Sequence, residues 1–180
     1  MDEANIVALV RAGNKDAFAE IVTHYQSPIT RYLYRMTGDY EMARDLAQDT
    51  FVQAYRGILK THSELSLKAW LYRIATNNAL QILRRRRLIS FVPFSRAAKI
   101  DLLKLSTKDR SGDIGENMAI KEVLLKIPQE QRVCILLHFV EGFKYKEIAE
   151  TLKISEDAVR MRVARGSQEF RRLYSQGGVK

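Results

Sequence analysis

The segment that decides the fold reads YKEIAETLKISEDAVRMRVAR at residues 145–165. Apolar residues recur at helical spacing from Tyr145 to Leu152 and again from Val159 onward, with a short break between the two stretches. Ser155 suits the N-cap of the second stretch, and the acidic pair that follows it favours the positive end of a helix dipole. Two short helices joined by a tight turn are therefore predicted, which is the pattern of a helix-turn-helix.

The second helix of this motif has a candidate DNA-contacting face. Arginines can bind guanine edges with two hydrogen bonds or clamp phosphates, and small apolar side chains can pack on thymine methyl groups. A basic helix alone is more often a solvated surface, but the preceding helix, turn and cap favour DNA binding. A positive φ at Lys153, where such turns commonly use glycine, would carry modest strain. The candidate DNA contacts are Ser155, Arg160, Met161, Arg162, Ala164 and Arg165.

Charge alternates along the chain, whose formal net charge is +9. Residues 1–57 carry six basic and eight acidic side chains, whereas residues 58–87 carry seven and one. The pattern repeats with six and seven in residues 118–157 and six and one in residues 158–180. Two near-neutral segments, each followed by a basic one, are what two separate contacts with a polyanion require.

Helical periodicity also dominates the first half of the chain. Apolar residues follow one helix face from Ile6 to Tyr25, Pro28 is expected to begin a further helix, and Gly38-Asp39 to end it. A fourth helix is predicted from Trp70, after a loop at residues 57–67, and it ends in four consecutive arginines.

The predicted fold class is all-α, with two small helical modules joined by a flexible linker. The first module spans residues 1–87 and the second spans residues 118–180. Between them, residues 88–117 lose the helical pattern and contain several serines and glycines among scattered apolar residues.

Phrases in both modules resemble the extracytoplasmic-function (ECF) subfamily of sigma-70 RNA polymerase sigma factors, in the family's order. The first module resembles sigma region 2 and the second resembles sigma region 4. The resemblance implies a factor that binds core RNA polymerase and directs it to promoter DNA. The matching phrases lie at residues 16–25, 43–55, 70–77, 127–132, 142–149 and 159–165.

The resemblance implies a polymerase-binding surface at residues 43–55, where sigma factors bind the clamp helices of the largest subunit. The acidic face of this helix, taken alone, is equally compatible with an ordinary solvated surface. Paired carboxylates without a histidine, glycine-rich loop or nucleophile do not indicate catalysis, so no enzyme activity is predicted. The candidate polymerase contacts are Asp45, Leu46, Gln48, Asp49 and Phe51.

The resemblance also implies recognition and melting of the minus-ten promoter element by the fourth helix and the loop before it. Asn77 and that loop are expected to receive a base flipped out of the non-template strand, at a cost of a few kcal/mol of unstacking. Trp70 falls on the apolar stripe, which favours a core position over a stacking platform. The candidate minus-ten contacts are Lys60, His62, Ser63, Arg73, Asn77, Arg84, Arg85 and Arg86.

The resemblance further implies that the second module binds the minus-thirty-five element and the flap tip of the polymerase's second-largest subunit. An anti-sigma factor is an expected inhibitor of such a protein. The linker of related factors is often acidic, whereas residues 88–117 carry five basic and four acidic side chains. Apolar contact with the polymerase channel is therefore expected instead of mimicry of nucleic acid.

Other function classes have little support in the sequence. A single cysteine, Cys134, excludes an intrachain disulfide, and its position one helical turn before His138 among apolar residues up to Phe139 favours packed core over a metal site. No cofactor or metal is predicted. No run of eighteen apolar residues occurs, so a soluble, unprocessed, cytoplasmic protein without membrane insertion is expected. The alternative function is a stand-alone helix-turn-helix regulator whose first module serves dimerisation or signal sensing.

Overall fold

The computed structural model describes residues 3–59, 66–90 and 114–176. Every regular element in these ranges is helical and no strand occurs there, which confirms the all-α class. The predicted contacts Lys60, His62 and Ser63, and most of the linker, lie outside the described residues. The first module contains α1 (Glu3–Arg11), α2 (Lys15–Thr37), α3 (Tyr40–Ile58) and α4 (Leu67–Ser90). The second contains α5 (Ile114–Lys126), α6 (Gln129–Ile135), a π-helical turn (Leu136–Val140), α7 (Tyr145–Leu152) and α8 (Glu156–Gln176).

Helix α2 corrects one prediction, because Pro28 lies inside it and does not begin a new helix. A proline within a helix removes one backbone hydrogen bond and costs about 3 kcal/mol. Ile21 and Ile29, which flank it on the buried face, are fully enclosed by the core, and this packing holds the helix together across the proline.

The predicted break after α2 is confirmed at Gly38 and Asp39. Gly38 adopts a left-handed φ of 76° and its N–H donates to the Tyr34 carbonyl at 2.8 Å. The Asp39 carboxylate then accepts from the Met42 N–H at 3.0 Å as the N-cap of α3. A left-handed glycine followed at once by a capping aspartate turns the chain sharply between two antiparallel helices.

The helix-turn-helix is formed by α7 and α8. Lys153 ends α7 with a left-handed φ of 55°, so this turn carries the strain that a non-glycine residue brings. The Ser155 hydroxyl accepts from the Ala158 N–H at 3.2 Å, as expected of an N-cap. Gly166 allows α8 to approach α6 closely, because a Cβ there would lie 2.5 Å from Ile135 Cδ1. These features fix the direction of α8 on its module.

Cys134 is a core residue, and burial raises the pKa of its thiol to about 11, so the thiol stays protonated at neutral pH. His138 Nδ1 lies 2.9 Å from the Phe143 carbonyl oxygen, within hydrogen-bond distance. The expectation that Phe139 belongs to the same core is wrong, since its side chain is 63% exposed. The wider π-helical turn shifts the helical register there, which rotates Phe139 outward.

The two modules also pack against each other. Leu125 of α5 lies on Gly38, where a Cβ would come within 2.6 Å of Leu125 Cδ1. Lys121 Nζ donates to the Tyr34 hydroxyl at 2.5 Å and lies 4.5 Å from the centre of the same ring. Helix α4 of the first module also contacts α7 of the second. The described arrangement is therefore a closed one.

Candidate nucleic-acid and protein-binding surfaces

The acidic surface of α3 is exposed where the sequence predicts a protein contact. Asp45, Gln48 and Asp49 face solvent. Leu46 and Phe51 are only 4% and 7% exposed, and Phe51 also lines the cleft described next. Their contact with a partner stays a prediction. Both pack in the core under the acidic surface, because they fall on the apolar stripe of α3.

A cleft of about 560 Å³ lies beside this surface, between α2 and α3. Phe18 and Tyr55 meet edge to face across it, with ring centres 4.9 Å apart. Asp45 and Gln48 belong to its polar rim. An apolar floor with a carboxylate and an amide at its edge can accept an apolar side chain and position a basic partner group.

Helix α4 exposes Asn77 and the run Arg84, Arg85 and Arg86. Arg86 lies 3.9 Å from an Asp39 carboxylate oxygen, a partly exposed pair of small energetic value. An exposed amide and a run of exposed cations are side chains of the kind that contact bases and phosphates. Trp70 is half-buried and packs on Gly57, where a Cβ would lie 2.9 Å from its ring.

Arg73 differs from the other α4 candidates, because its guanidinium donates to backbone carbonyls of the second module. Its Nε donates to the Thr151 carbonyl at 2.9 Å and its Nη2 donates to the Glu150 carbonyl at 2.5 Å. In this structure the Arg73 guanidinium binds the end of α7 in the second module, and its contact with DNA stays a prediction.

Helix α8 presents Arg160, Met161, Ala164 and Arg165 to solvent, and we call these four residues the reading face. Met161 is 54% exposed, unusually open for a large apolar side chain. Val159, Val163 and Gly166 are buried on the opposite side and hold the helix on its module.

Two other α8 candidates have structural partners. The Ser155 hydroxyl is engaged as the helix cap, although the residue remains exposed. Arg162 Nη2 lies 2.8 Å from a Glu130 carboxylate oxygen on α6. Its contact with DNA stays a prediction. Position 162 lies three residues after the buried Val159 and four before the buried Gly166, so its side chain lies beside the buried face of α8.

The sequence did not predict which residues of the second module contact α4. Tyr72 donates to the Glu141 carboxylate and Lys68 Nζ donates to the Glu141 carbonyl at 2.6 Å. Burial and the hydrogen bond to Glu141 raise the pKa of Tyr72 well above its usual value. The partners are about seventy positions apart in the chain, so no local sequence signal identifies them.

Within the part of the chain that the structure describes, no group of His, Cys, Asp or Glu side chains is arranged to hold a metal ion. No described helix combines the length and apolarity needed to cross a bilayer.

Two helical modules, one containing a helix-turn-helix with exposed arginines and the other an exposed acidic helix surface, define an all-α protein of the helix-turn-helix class. Residues 21–89 match the family description "Sigma-70 region 2", and residues 117–169 match "Sigma-70, region 4". The ECF RNA polymerase sigma factor SigW of Bacillus subtilis is 31% identical over 171 residues, covering 91% of each chain. The RNA polymerase sigma-H factor of Pseudomonas aeruginosa is 29% identical over 174 residues, covering 92% of this chain and 90% of that protein.

One solved structure covers nearly the whole chain. CnrH, in complex with the cytosolic domain of CnrY, matches 98% of this chain with a TM-score of 0.72 and 23% sequence identity, a likeness of fold. The chain belongs to the ECF sigma factors of the sigma-70 family.

Proposed function

We propose that this sigma factor binds core RNA polymerase and directs it to specific promoters, with duplex recognition by α8 as its decisive step. The observation that carries the proposal is the reading face, whose two arginines are exposed above a fully packed helix-turn-helix. An amphipathic recognition helix held by a cap, a tight turn and a close glycine contact is preorganised for the major groove.

We assign separate tasks to the segments of the chain. Residues 1–87 bind polymerase through Asp45, Gln48 and Asp49, and contact the minus-ten element through Asn77, Arg84, Arg85 and Arg86. Residues 118–180 contact the minus-thirty-five element through the reading face, while residues 88–117 connect the two modules. The exposed α3 carboxylates and the exposed cations of α4 and α8 support this division, because they place opposite charges on different surfaces.

The proposal gives the chain no catalysis of its own, because polymerase supplies the chemistry and the sigma factor supplies recognition. We accordingly place its action in the cytoplasm, together with core polymerase and the chromosome. We also propose the flap tip as a polymerase contact of the second module, where Phe139 and Val140 are exposed beside the helix-turn-helix.

An anti-sigma factor is the proposed inhibitor. The sigma factor RpoE of Bartonella quintana, whose structure has a TM-score of 0.72 to this chain at 21% identity, was solved with the anti-sigma factor NepR. The α2–α3 cleft, with its apolar floor, is the proposed docking place for one segment of such an inhibitor.

The proposal is tested by reconstitution with core polymerase. Wild-type protein is expected to produce promoter-specific transcripts that core polymerase alone does not produce. Asp45→Arg should lose polymerase binding, because it reverses a charge on the proposed contact surface. Glu20→Arg makes the same change at an exposed α2 residue outside the cleft and should bind normally. Normal binding by Asp45→Arg would refute the α3 assignment, and tight operator binding without any need for polymerase would favour the stand-alone regulator.

A further inference from the structure

Helix α1 contacts both ends of the chain segment that connects α3 to α4. Its first residue, Glu3, accepts a hydrogen bond at Oε2 from the N–H of Leu67, the first residue of α4, at 3.1 Å. Its last residue, Arg11, donates from Nε to the carbonyl of Ile58, the last residue of α3, at 3.2 Å. One short helix therefore holds the end of α3 and the beginning of α4, and we call these two contacts the α1 brace.

Each of the two side chains has the charge that its helix end favours. The N–H groups at the beginning of a helix carry partial positive charge, and the carbonyls at its end carry partial negative charge. A carboxylate at the beginning of α4 and a guanidinium at the end of α3 therefore both form charge-assisted hydrogen bonds. The Ser66 hydroxyl also caps α4, by accepting from the Ala69 N–H at 3.2 Å. It does not replace Glu3, whose partner is a different N–H group.

Helix α2 holds the Glu3 carboxylate in this orientation. The Tyr25 hydroxyl donates to the other carboxylate oxygen, Oε1, at 2.6 Å. Burial and this hydrogen bond raise the pKa of Tyr25 above its usual value, so the hydroxyl stays protonated and donates at neutral pH. Ile6 and Val10 are buried in the core and fix α1 on the module. The α1 brace is therefore part of a packed structure, with a partner at each carboxylate oxygen.

The length of the connecting segment alone does not set the distance between the two helix ends. Fully extended, the chain from Ile58 to Leu67 would span about 30 Å. Glu3 and Arg11 lie at the two ends of a nine-residue helix, so their backbones are about 12 Å apart at about 1.5 Å per residue. The two contacts therefore restrict the separation of the helix ends to what the fixed length of α1 allows.

We propose that Glu3 and Arg11 are positioning residues for recognition of the minus-ten element, acting through the ends of α3 and α4. This role rests on the proposed function, in which α4 contacts that element, whereas the contacts themselves do not. Helix α1 lies before residue 21, where the match to the family's region 2 begins. Helix ends that are fixed before DNA binds reduce the conformational entropy that recognition has to overcome.

Amide hydrogen exchange of the free protein, resolved by residue, tests the α1 brace itself. Glu3→Ala removes the acceptor of the Leu67 N–H, so that amide should exchange about two- to tenfold faster, the effect of losing one hydrogen bond. Glu20→Ala, which removes an exposed carboxylate from α2, should leave this exchange unchanged. A Leu67 amide that exchanges equally slowly in Glu3→Ala and in wild type would overturn the brace.

Open-complex formation with core polymerase tests the positioning role. Glu3→Ala/Arg11→Ala should lower permanganate reactivity of the melted region about three- to tenfold and weaken the preference for the minus-ten bases. Binding to the upstream element should stay unchanged. Glu20→Ala/Arg31→Ala removes one exposed acidic and one exposed basic side chain from α2 and is the charge-matched control. Tyr25→Phe keeps Glu3 and removes the hydroxyl that orients it, so it should give a smaller loss of the same kind.

A purely structural role for these residues would lower upstream binding and melting together, in step with the fraction of unfolded protein measured in urea, and would refute positioning. Unchanged melting and base preference in Glu3→Ala/Arg11→Ala would refute it too. If that variant does not fold, Tyr25→Phe decides: a selective loss of melting supports positioning, and unchanged melting overturns it. Absence of polymerase-dependent melting by wild type would instead refute the proposed function, and exchange at Leu67 would still decide the brace.

Discussion

The basic helices α4 and α8 have similar chemistry and differ in what their arginines already contact. Arg160 and Arg165 on α8 are exposed. Arg160 Nη2 lies 3.4 Å from a carboxylate oxygen of Glu156 on the same helix. Arg73 on α4 is bonded to backbone carbonyls of the other module. Charge alone therefore does not identify a DNA contact; the arrangement of neighbouring elements decides whether a cation is available.

The largest expected effect concerns the support beneath the α8 reading face. Ile148 on α7 is fully buried, so Ile148→Ala should lower the free energy of unfolding by about 2–5 kcal/mol through lost packing and a cavity. Met161→Ala, on the exposed side of α8, should change it by no more than about 0.5 kcal/mol. Urea unfolding followed by circular dichroism measures both. Similar losses in the two variants would contradict the described burial of the motif.

Removal of a base-contacting arginine should have the next largest effect. Arg165→Ala or Arg160→Ala is expected to weaken binding to the upstream element by about 1–3 kcal/mol and to relax specificity at one base pair. Arg171→Ala, an exposed arginine outside the reading face, is the matched control. Competition binding to single-base-pair variants gives the measurement; a uniform loss over all sequences would mean a phosphate contact instead.

Asn77 tests the DNA function of α4 apart from the contacts of this helix with the second module. Asn77→Ala should reduce open-complex formation by about 0.5–1.5 kcal/mol, the usual worth of one hydrogen bond, because a flipped base would lose an amide partner. Binding to the closed promoter complex should be nearly unchanged, and permanganate reactivity of the melted region separates the two steps. Equal loss in both steps would remove the flipped-base role.

The smallest effect is expected at Arg162. Its ion pair with Glu130 is partly exposed, so Arg162→Ala should cost no more than about 1 kcal/mol of stability. A double-mutant cycle with Glu130→Gln isolates the pair in thermal unfolding. A loss of promoter specificity as large as that of Arg165→Ala would show that Arg162 leaves Glu130 to contact DNA.

Local patterns were sufficient to predict the all-α class and its turns. The break at Gly38, the cap at Ser155 and the buried stripe through Val159 and Val163 each depend on residues a few positions apart. The family resemblance and the alternating charge together predicted where the protein-binding and DNA-binding surfaces lie. The individual contacts that the resemblance implies stay predictions.

The predictions that failed depend on distant neighbours. Pro28 stays inside a helix because the residues on either side of it pack in the core. Phe139 turns outward because of a π-helical turn that no local sequence pattern predicts. Arg73 and Arg162, whose DNA contacts stay predictions, each have an unpredicted partner on another helix. Such pairings follow from packing, so a single sequence does not show them.

Footprinting on promoter DNA tests the central claim most directly. The promoter is first identified from the transcription starts that overexpression of this sigma factor induces, and the footprint is taken with and without core polymerase. The account predicts two protected segments that require polymerase, with protection of the upstream one reduced by Arg165→Ala and melting of the downstream one reduced by Asn77→Ala. One protected segment, bound equally well without polymerase, would contradict it.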